Sequence, residues 1–334
     1  MATIRLEKVR KVFGPGTLAK LPGQKPPQSD TAERSRVALD GVDLVVRNSE
    51  TMVVLGPSGC GKSTLLRVVA GLESYEGHVY FGGKLMDKVP PYERSIGMVF
   101  QGYALYPHLD GFDNLGFTFK ARKRPSEEAM ERILITAEIM GVGFEELLRH
   151  KPGRLAGGEQ QRLAVGRALV REPDLFLFDE PLSNLDAALR LQTRGEIRRI
   201  LRRFRHTAIY VTHDQAEATA IGDQLAIMRA GRVEQVGTYA VLYNTPINAF
   251  VAGFLGNPAM NLLHGTLNEG GAWQLGDVEV AIPAFIRDRL RVGWKLILGI
   301  RPEQTQLAEN ERPTYHGRVV HIERDMPRRI QTLY

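Results

Sequence analysis

The sequence predicts an α/β fold with a mainly parallel sheet, followed by a second, β-rich domain. Apolar runs suited to buried strands recur through the first two thirds of the chain, and segments with helical periodicity separate several of them. In roughly the last quarter, brief strand-like runs alternate with Gly, Pro and charged turns. A chain of 334 residues, with 43% hydrophobic and 25% charged residues, fits two ordinary globular domains.

The first two strand candidates, residues 4–13 and 37–46, are separated by a polar stretch. Residues 14–35 are rich in Pro, Gly and polar side chains, which predicts a surface loop of unusual length. Further buried strands are expected at the apolar runs 52–55, 96–100, 175–178, 208–211 and 224–228.

Residues 102–170 interrupt this alternation. They are loop-rich at first and then helical from Ser126, where the run SEEA has the pattern of a capping box. This predicts a helical insertion in a sheet domain that spans residues 1–237. The candidate strands WQLGDVEVAIP, KLILGIRPE and YHGRVVHIE place the β-rich domain at residues 238–334.

Composition excludes several classes of protein. The single cysteine, Cys60, rules out an internal disulfide framework, and the eight histidines lack zinc-ligand spacing. No apolar run approaches the ~18 residues of a membrane-spanning helix. The start lacks the apolar core of a signal peptide, so the chain is expected to stay in the cytosol.

The net charge of +6 owes much to the arginine-rich residues 194–206. Apolar residues at helical spacing leave these arginines on the opposite face, which is typical of a solvated helix. A basic face for nucleic acid, lipid headgroups or an acidic partner is the alternative. The one aromatic residue of this run, Phe204, falls on the apolar stripe and not among the arginines, so we expect no nucleic-acid partner.

The run VVLGPSGCGKSTLL carries Gly56, Gly61, Lys62 and Ser63 in the P-loop pattern, between a predicted strand and a predicted helix. Backbone N–H groups of such a loop wrap phosphate oxygens, and the helix N-terminus adds partial positive charge. Lys62 is expected to reach the β- and γ-phosphates, and the Ser63 hydroxyl to hold Mg²⁺. The predicted nucleotide-binding residues of this loop are Gly56, Pro57, Ser58, Gly59, Cys60, Gly61, Lys62, Ser63 and Thr64.

The run DLFLFDEP places two carboxylates at the C-terminal end of a buried strand, the edge where open α/β sheets bind ligands. Beside a P-loop, Asp179 is expected to face Mg²⁺ and Glu180 to polarise the attacking water. Gln101 and His213 end two further strands at the same edge. Gln101 is predicted to complete the metal shell and position water, and His213 to hydrogen-bond the γ-phosphate.

The stretch LAGGEQQR, residues 155–162, has two glycines directly before a charged, helix-forming run. Gly157 and Gly158 are suited to presenting backbone N–H groups at the positive end of a helix. Taken by itself, the stretch is better explained as an ordinary glycine-containing helix start, and only the other motifs favour the functional interpretation.

Taken together, these motifs carry a family resemblance. GPSGCGKST, MVFQ, LAGGEQQR, LFLFDEP, SNLD and VTHD follow the order and spacing of an ATP-binding cassette ATPase. QGYALYPHLDGFDNLGF resembles the permease-facing stretch of carbohydrate-importer ATPases of the maltose and glycerol-3-phosphate type. LYNTPINAFVAGFLGNPAMNLL and LGIRPE resemble the OB-like accessory domain of those proteins.

The resemblance implies a P-loop ATPase that energises import of a sugar, polyol or glycerol-3-phosphate, with ATP and Mg²⁺ as cofactors. Two ATPase subunits, identical or similar, would close head to tail around each ATP. Two integral-membrane permease subunits would contact residues 102–119, and an extracytoplasmic solute-binding protein would act indirectly. The chain would lie peripherally on the cytoplasmic face of the membrane.

The resemblance also assigns roles residue by residue. Glu180 would be the general base, His213 the switch histidine, and Ser63, Gln101 and Asp179 the Mg²⁺ site. Phe13 would stack on adenine, and Asp186 would lie in the loop that crosses the dimer interface. The residues facing ATP of the opposite subunit would be Ala156, Gly157, Gly158 and Glu159.

Several features depart from the family pattern. Phe13 replaces the usual Tyr or Trp and is followed directly by the long loop 14–35. Ala156 stands where Ser is usual, and Glu159 where Gln is commonest. The chain is somewhat short for the family, so an incomplete accessory domain is expected. Two alternatives stay open: a soluble P-loop phosphotransferase, and a nucleotide-binding regulatory module with little turnover.

Overall fold

The computed structural model describes residues 3–14 and 35–305, together with the backbone of two strands at 322–325 and 330–333. Most of the predicted loop 14–35 therefore lies outside the described residues. The chain divides into two compact units, Met1–Tyr239 and Ala240–Tyr334.

The core of the first unit is a six-stranded sheet with the order β10-β9-β3-β8-β7-β6. Five neighbouring strands are parallel, and only β10 runs antiparallel, beside β9. Every residue of β3, β7 and β8 is buried, which explains their continuous apolar sequences. The strands are β3 (Thr51–Leu55), β6 (Ile96–Val99), β7 (Leu175–Asp179), β8 (Thr207–Thr212), β9 (Gln224–Arg229) and β10 (Arg232–Gly237).

The N-terminal strands form a separate antiparallel sheet with the order β2-β1-β4-β5. Buried Val and Leu residues alternate with exposed ones along β2, as expected for a strand with one face in the core. Sequence reasoning found the first two of these strands and missed β4, β5 and the edge strand β10. The four strands are β1 (Ile4–Phe13), β2 (Arg36–Val46), β4 (Glu76–Phe81) and β5 (Lys84–Leu85).

Helix α1 (Lys62–Ala70) follows β3 and packs its apolar face on the core. The insertion consists of α2 (Gly111–Ala121), α3 (Ser126–Met140), α4 (Phe144–Leu148) and α5 (Gly157–Leu169). Helix α3 begins at Ser126, but the predicted capping box is wrong. Pro125 occupies the capping position, so Ser126 is already helical and its hydroxyl does not cap.

Helices α6 (Ala187–Arg203) and α7 (Gln215–Ile221) complete the first unit. On α6 the buried residues are Thr193, Ile197, Ile200 and Leu201. This confirms the predicted apolar stripe, and Arg199, Arg202 and Arg203 are exposed on the other side.

The second unit contains a four-stranded antiparallel sheet with the order β13-β12-β11-β14. A small core of Leu267, Trp273 and Ile282 lies against it. The predicted strand in YHGRVVHIE lies largely outside the described residues. The unit's elements are α8 (Tyr239–Asn244), α9 (Ala249–Phe254), β11 (Asn261–Leu267), β12 (Ala272–Leu275), β13 (Val278–Ala281), α10 (Ala284–Arg287), β14 (Lys295–Ile300), β15 (Ile322–Asp325) and β16 (Ile330–Leu333).

Candidate functional site

The P-loop turns from β3 into α1 where side chains cannot fit. A Cβ on Gly56 would lie 2.3 Å from the Met228 carbonyl oxygen, and one on Gly61 would lie 2.3 Å from that of Ala38. Gly61 also has φ +109°, in the region that favours glycine. The glycines are therefore required by close packing against neighbouring backbone, and they leave the loop's N–H groups at the start of a helix.

Lys62 begins α1 and is only 5% exposed. Its ammonium group donates hydrogen bonds to the carbonyl oxygens of Gly56, at 2.9 Å, and Pro57, at 3.1 Å. It also lies 4.0 Å from the Glu180 carboxylate. These interactions compensate the charge for its burial and hold the ammonium group at the P-loop.

Ser63 and Asp179 come together from opposite halves of the unit. The Ser63 hydroxyl donates to the Asp179 carboxylate at 2.7 Å. Burial raises the pKa of Asp179, and the hydrogen bond from Ser63 opposes that shift. The predicted pair of hard oxygen ligands is thus adjacent, as an Mg²⁺ site shared with substrate phosphates requires.

No group of three or more His, Cys, Asp or Glu residues suited to a metal occurs among the described residues. This is compatible with Mg²⁺, which is bound through one or two protein groups plus substrate phosphates and water. The residues present therefore fit a nucleotide-bound Mg²⁺ ion.

Glu180 follows Asp179 at the end of β7 and has φ +45°. Its backbone N–H donates to the Val211 carbonyl at 3.0 Å, so the turn is fixed to the neighbouring strand. The His213 Nδ1 atom lies 3.0 Å from the Glu180 carboxylate. A carboxylate, an imidazole and the Lys62 ammonium group thus meet at the C-terminal edge of the parallel strands.

Lys62 and Glu180 border a cavity of about 250 Å³, whose lining does not include His213. Its lining residues are Phe13, Arg36, Ala38, Ser58, Gly59, Gly61, Lys62, Ser63, Thr64, Arg67 and Glu180. Phe13 therefore shares a cavity with the P-loop, and the Lys11 ammonium group lies 4.9 Å from the centre of its ring. Sequence reasoning missed Arg36, whose guanidinium group donates to the Gly59 carbonyl at 3.1 Å. No local signal could have found it, since the contact depends on how β2 lies beside the P-loop.

Gln101 does not end a strand, contrary to the prediction. Strand β6 stops at Val99, and the chain turns through Tyr103 and Ala104, which both have positive φ. The Gln101 carbonyl accepts a hydrogen bond from the Asn184 side chain at 2.9 Å. Among the described residues the Gln101 side chain makes no hydrogen bond to Ser63 or Asp179, the predicted metal pair, which bond each other.

Cys60 lies in the P-loop and is 5% exposed. The sequence places it at a helix start, which favours a thiolate. Burial instead raises the pKa of this thiol, although Lys62 opposes the shift. Desolvation therefore outweighs the helix start and the nearby positive charge, which both favour the thiolate.

Residues 156–159 lie at the start of α5, outside the P-loop cavity. Ala156 is at the capping position, and its N–H donates to the Glu159 carboxylate at 2.8 Å. The Glu159 side chain thereby caps the N-terminus of its own helix. Gly157 and Gly158 are the first two residues of that helix. Asp186 is exposed and caps α6 through the Leu189 N–H at 3.0 Å. Neither residues 156–159 nor Asp186 line the P-loop cavity of their own chain.

A second cavity of about 420 Å³ lies between the central sheet and the helical insertion. Tyr106 and Phe117 line it with their ring centres 4.4 Å apart, and the Arg167 guanidinium donates to the Ala104 carbonyl at 2.7 Å. The fully buried Asn114 exchanges hydrogen bonds with both the N–H and the carbonyl of Tyr106. The loop before α2 is therefore held firmly, with aromatic side chains facing the cavity.

Fold and site together define a P-loop nucleotide-hydrolase domain with a helical insertion in the sheet, joined to a small β unit. The ABC transporter family profile matches residues 39–183, and the MalK OB fold domain profile matches residues 256–305. The chain belongs to the ABC transporter family, as one of its import ATP-binding subunits.

The sn-glycerol-3-phosphate import ATP-binding protein UgpC of Chromohalobacter salexigens is 45% identical over 304 residues, covering 91% of this chain and 75% of that protein. The trehalose/maltose import ATP-binding protein MalK of Thermococcus litoralis is 44% identical over 317 residues, covering 91% and 78%. The oligosaccharides import ATP-binding protein MsmX of Bacillus subtilis is 43% identical over 308 residues, with the same coverage.

Among solved structures, the dimeric ATP-binding cassette MJ0796 in a post-hydrolysis state with ADP and Pi is similar, with a TM-score of 0.58 and 27% identity. The match covers 70% of this chain and 98% of the other. This family membership sets aside the soluble phosphotransferase, and the protein is an ATP-binding, ATP-hydrolysing transporter subunit. In the part of the chain that the structure describes, no helix has both the length and the apolarity needed to cross a membrane.

Proposed function

We propose that this chain hydrolyses ATP to energise import of a carbohydrate or related solute, in the class of sugars, polyols and glycerol-3-phosphate. The relatives named above import sn-glycerol-3-phosphate, trehalose or maltose, and oligosaccharides. The MalK OB fold domain match in the second unit supports the same class. The transported solute itself would be selected by membrane and binding proteins outside this chain.

The observation that carries the proposal is the meeting of Glu180, His213 and Lys62 beside the Ser63–Asp179 pair. Glu180 would act as general base, taking a proton from the attacking water, while His213 would orient Glu180 and hydrogen-bond the γ-phosphate. Lys62 and the P-loop N–H groups would neutralise charge on the phosphates. Bound Mg²⁺ would be held by Ser63 and Asp179 and would screen the phosphate charge.

ATP is proposed to lie between two chains. Phe13 would stack on adenine, because Phe13 and the P-loop line the same cavity. The segment Ala156–Glu159 and Asp186 lie outside that cavity, in agreement with a role opposite the ATP of a second subunit. Gln101 would reach the metal site only if its turn moved as the subunits close. The dimer is formed by two copies of this chain or by this chain and a similar ATPase.

In each ATPase subunit of the dimer, the cavity beside the helical insertion is the proposed docking surface for one of the two permease subunits. Its aromatic rim, formed by Tyr106 and Phe117, belongs to the segment 102–119 assigned to permease contact. A firmly held apolar recess of this kind can accept a short helix from a partner. The chain would therefore lie peripherally at the cytoplasmic face of the membrane, with the solute-binding protein acting from the other side through the permeases.

Glu180→Gln tests the proposal. This change should abolish phosphate release to water and still allow ATP-bound dimers, because only the water-activating base is lost. Phosphate release and ATP-dependent dimerisation are measured on the purified chain, with Glu138→Gln, an exposed carboxylate of α3, as the matched control. Full turnover in Glu180→Gln would remove Glu180 from the role. Negligible turnover in the unaltered chain, even beside its permeases, would instead indicate the regulatory module.

A further inference from the structure

The first turn of α6 lies against the start of α5 within the same chain. A Cβ on Gly158 would lie 2.6 Å from both terminal carbons of Leu189 and 2.7 Å from its Cγ. One on Gly157 would lie 3.3 Å from a terminal carbon of Leu185. No side chain fits between Gly158 and Leu189, so a displacement of the α5 start towards α6 would press on Leu189.

Arg190, the next residue of that turn, reaches back to the loop between Glu180 and α6. Its guanidinium group donates to the Leu182 carbonyl at 3.3 Å and to the Leu185 carbonyl at 2.9 Å. The same group lies 3.9 Å from the Asp214 carboxylate. One side chain therefore joins the loop after the proposed base to the residue that follows His213.

Asp214 in turn is firmly held. Its carboxylate accepts from the N–H groups of Ala216 and Glu217 at the start of α7, and its own N–H donates to the Thr212 hydroxyl at 3.0 Å. The buried Glu217 carboxylate accepts from the hydroxyls of Tyr210 and Thr212, both at 2.9 Å. The end of β8 thus forms one hydrogen-bonded block with α7, and Arg190 links it to the loop.

We propose that Arg190 is a positioning residue that couples the α5 start of a chain to that chain's own Glu180 and His213. Movement at Gly158 is passed through Leu189 to the first turn of α6, and Arg190 passes it to the loop 182–185 and to Asp214. In a dimer with shared sites, the segment facing the partner's ATP would thereby control hydrolysis at the chain's own P-loop. The inference rests on the roles proposed above for Glu180 and His213.

The test compares Arg190→Met, Arg190→Lys and the control Arg198→Met in the full chain. Arg198 is on the same helix and is half-buried, and it makes no hydrogen bond or ion pair with the described residues. Methionine preserves much of the apolar stem and removes every donor. Arg190→Met removes two hydrogen bonds and an ion pair of a charged group, so we expect kcat to fall by about tenfold or more. Its Kd for ATP should stay within about twofold of the control, because the P-loop is untouched.

Arg190→Lys keeps the charge and should recover part of the lost kcat, which a purely structural role would not require. A kcat of Arg190→Met equal to that of Arg198→Met would overturn the inference. The inference would also be overturned if Arg190→Met lowered ATP affinity by the same factor as kcat and lowered Tm as well. Glu180→Gln, measured in parallel, separates the two proposals: if it keeps turnover, the proposed function fails, whatever Arg190 does.

Discussion

Gly158→Ala probes the tight contact between the start of α5 and the first turn of α6. In the structure the added Cβ would meet three carbons of Leu189, at 2.6, 2.6 and 2.7 Å. One of these carbons is Cγ, and a rotation about the Cβ–Cγ bond of Leu189 does not move it. The clash is therefore relieved only if the two helix ends move apart or Leu189 adopts another χ1 rotamer.

The magnitude follows from two opposing effects. Alanine is favoured over glycine by about 1 kcal/mol within a helix. Overpacking a well-packed contact costs roughly 1–3 kcal/mol. Because three heavy atoms are approached at once, we expect the steric term to dominate and the free energy of unfolding to fall by about 1 kcal/mol or more.

The matched control is Gly195→Ala, inside α6, where an added Cβ meets nothing within 4 Å. Only the propensity effect acts there, so this variant should gain roughly 0.5–1 kcal/mol. Urea unfolding of both variants gives the comparison. In a double-mutant cycle, Leu189→Ala should make Gly158→Ala cheaper by about 1 kcal/mol, because the clashing carbons are gone. A Gly158→Ala chain as stable as Gly195→Ala would refute the packing argument and weaken the proposed coupling through Leu189.

Two further predictions concern capping and pH. Ala156→Ser restores a hydroxyl at the capping position of α5, where no side chain caps now. A hydrogen bond to a charged group contributes ~1.5–3 kcal/mol, so ATP-dependent dimerisation should become tighter. Dimerisation is measured by sedimentation in the Glu180→Gln background. Unchanged dimerisation would mean that other donors already saturate the phosphate. Burial raises the pKa of Glu217 above its ordinary value of 4.5, so the folded state disfavours the ionised carboxylate. The protonated Glu217 side chain therefore contributes stability at low pH, and this contribution is lost as pH rises above 4.5. Glu217→Gln does not titrate, so its Tm relative to the unaltered chain should rise between acid and neutral pH, and a pH-independent difference would contradict this account.

The strands that sequence reasoning found are those whose patterns are local and strong. Strands β3, β7 and β8 are buried along their whole length, so continuous apolar runs marked them. Strand β5 has two residues, and β4 carries polar and charged positions, so neither stood out. The prediction that Gln101 ends a strand was wrong because β6 ends before a turn with two positive-φ residues, Tyr103 and Ala104. Neither residue is of a type that favours positive φ, so the sequence did not indicate the turn.

By itself the sequence determined the chemistry available to this protein. The glycine spacing of the P-loop, the carboxylates after an apolar run and the glycines before a helix each act through adjacent backbone, so a linear pattern contains them. Only the tertiary structure decided which groups meet. Ser63 and Asp179 are far apart in the chain and 2.7 Å apart in the fold, and Arg190 joins two loops that the sequence presents as unrelated. Burial, likewise a property of the assembled fold, raises the pKa of the Cys60 thiol, against a helix start that favours ionisation.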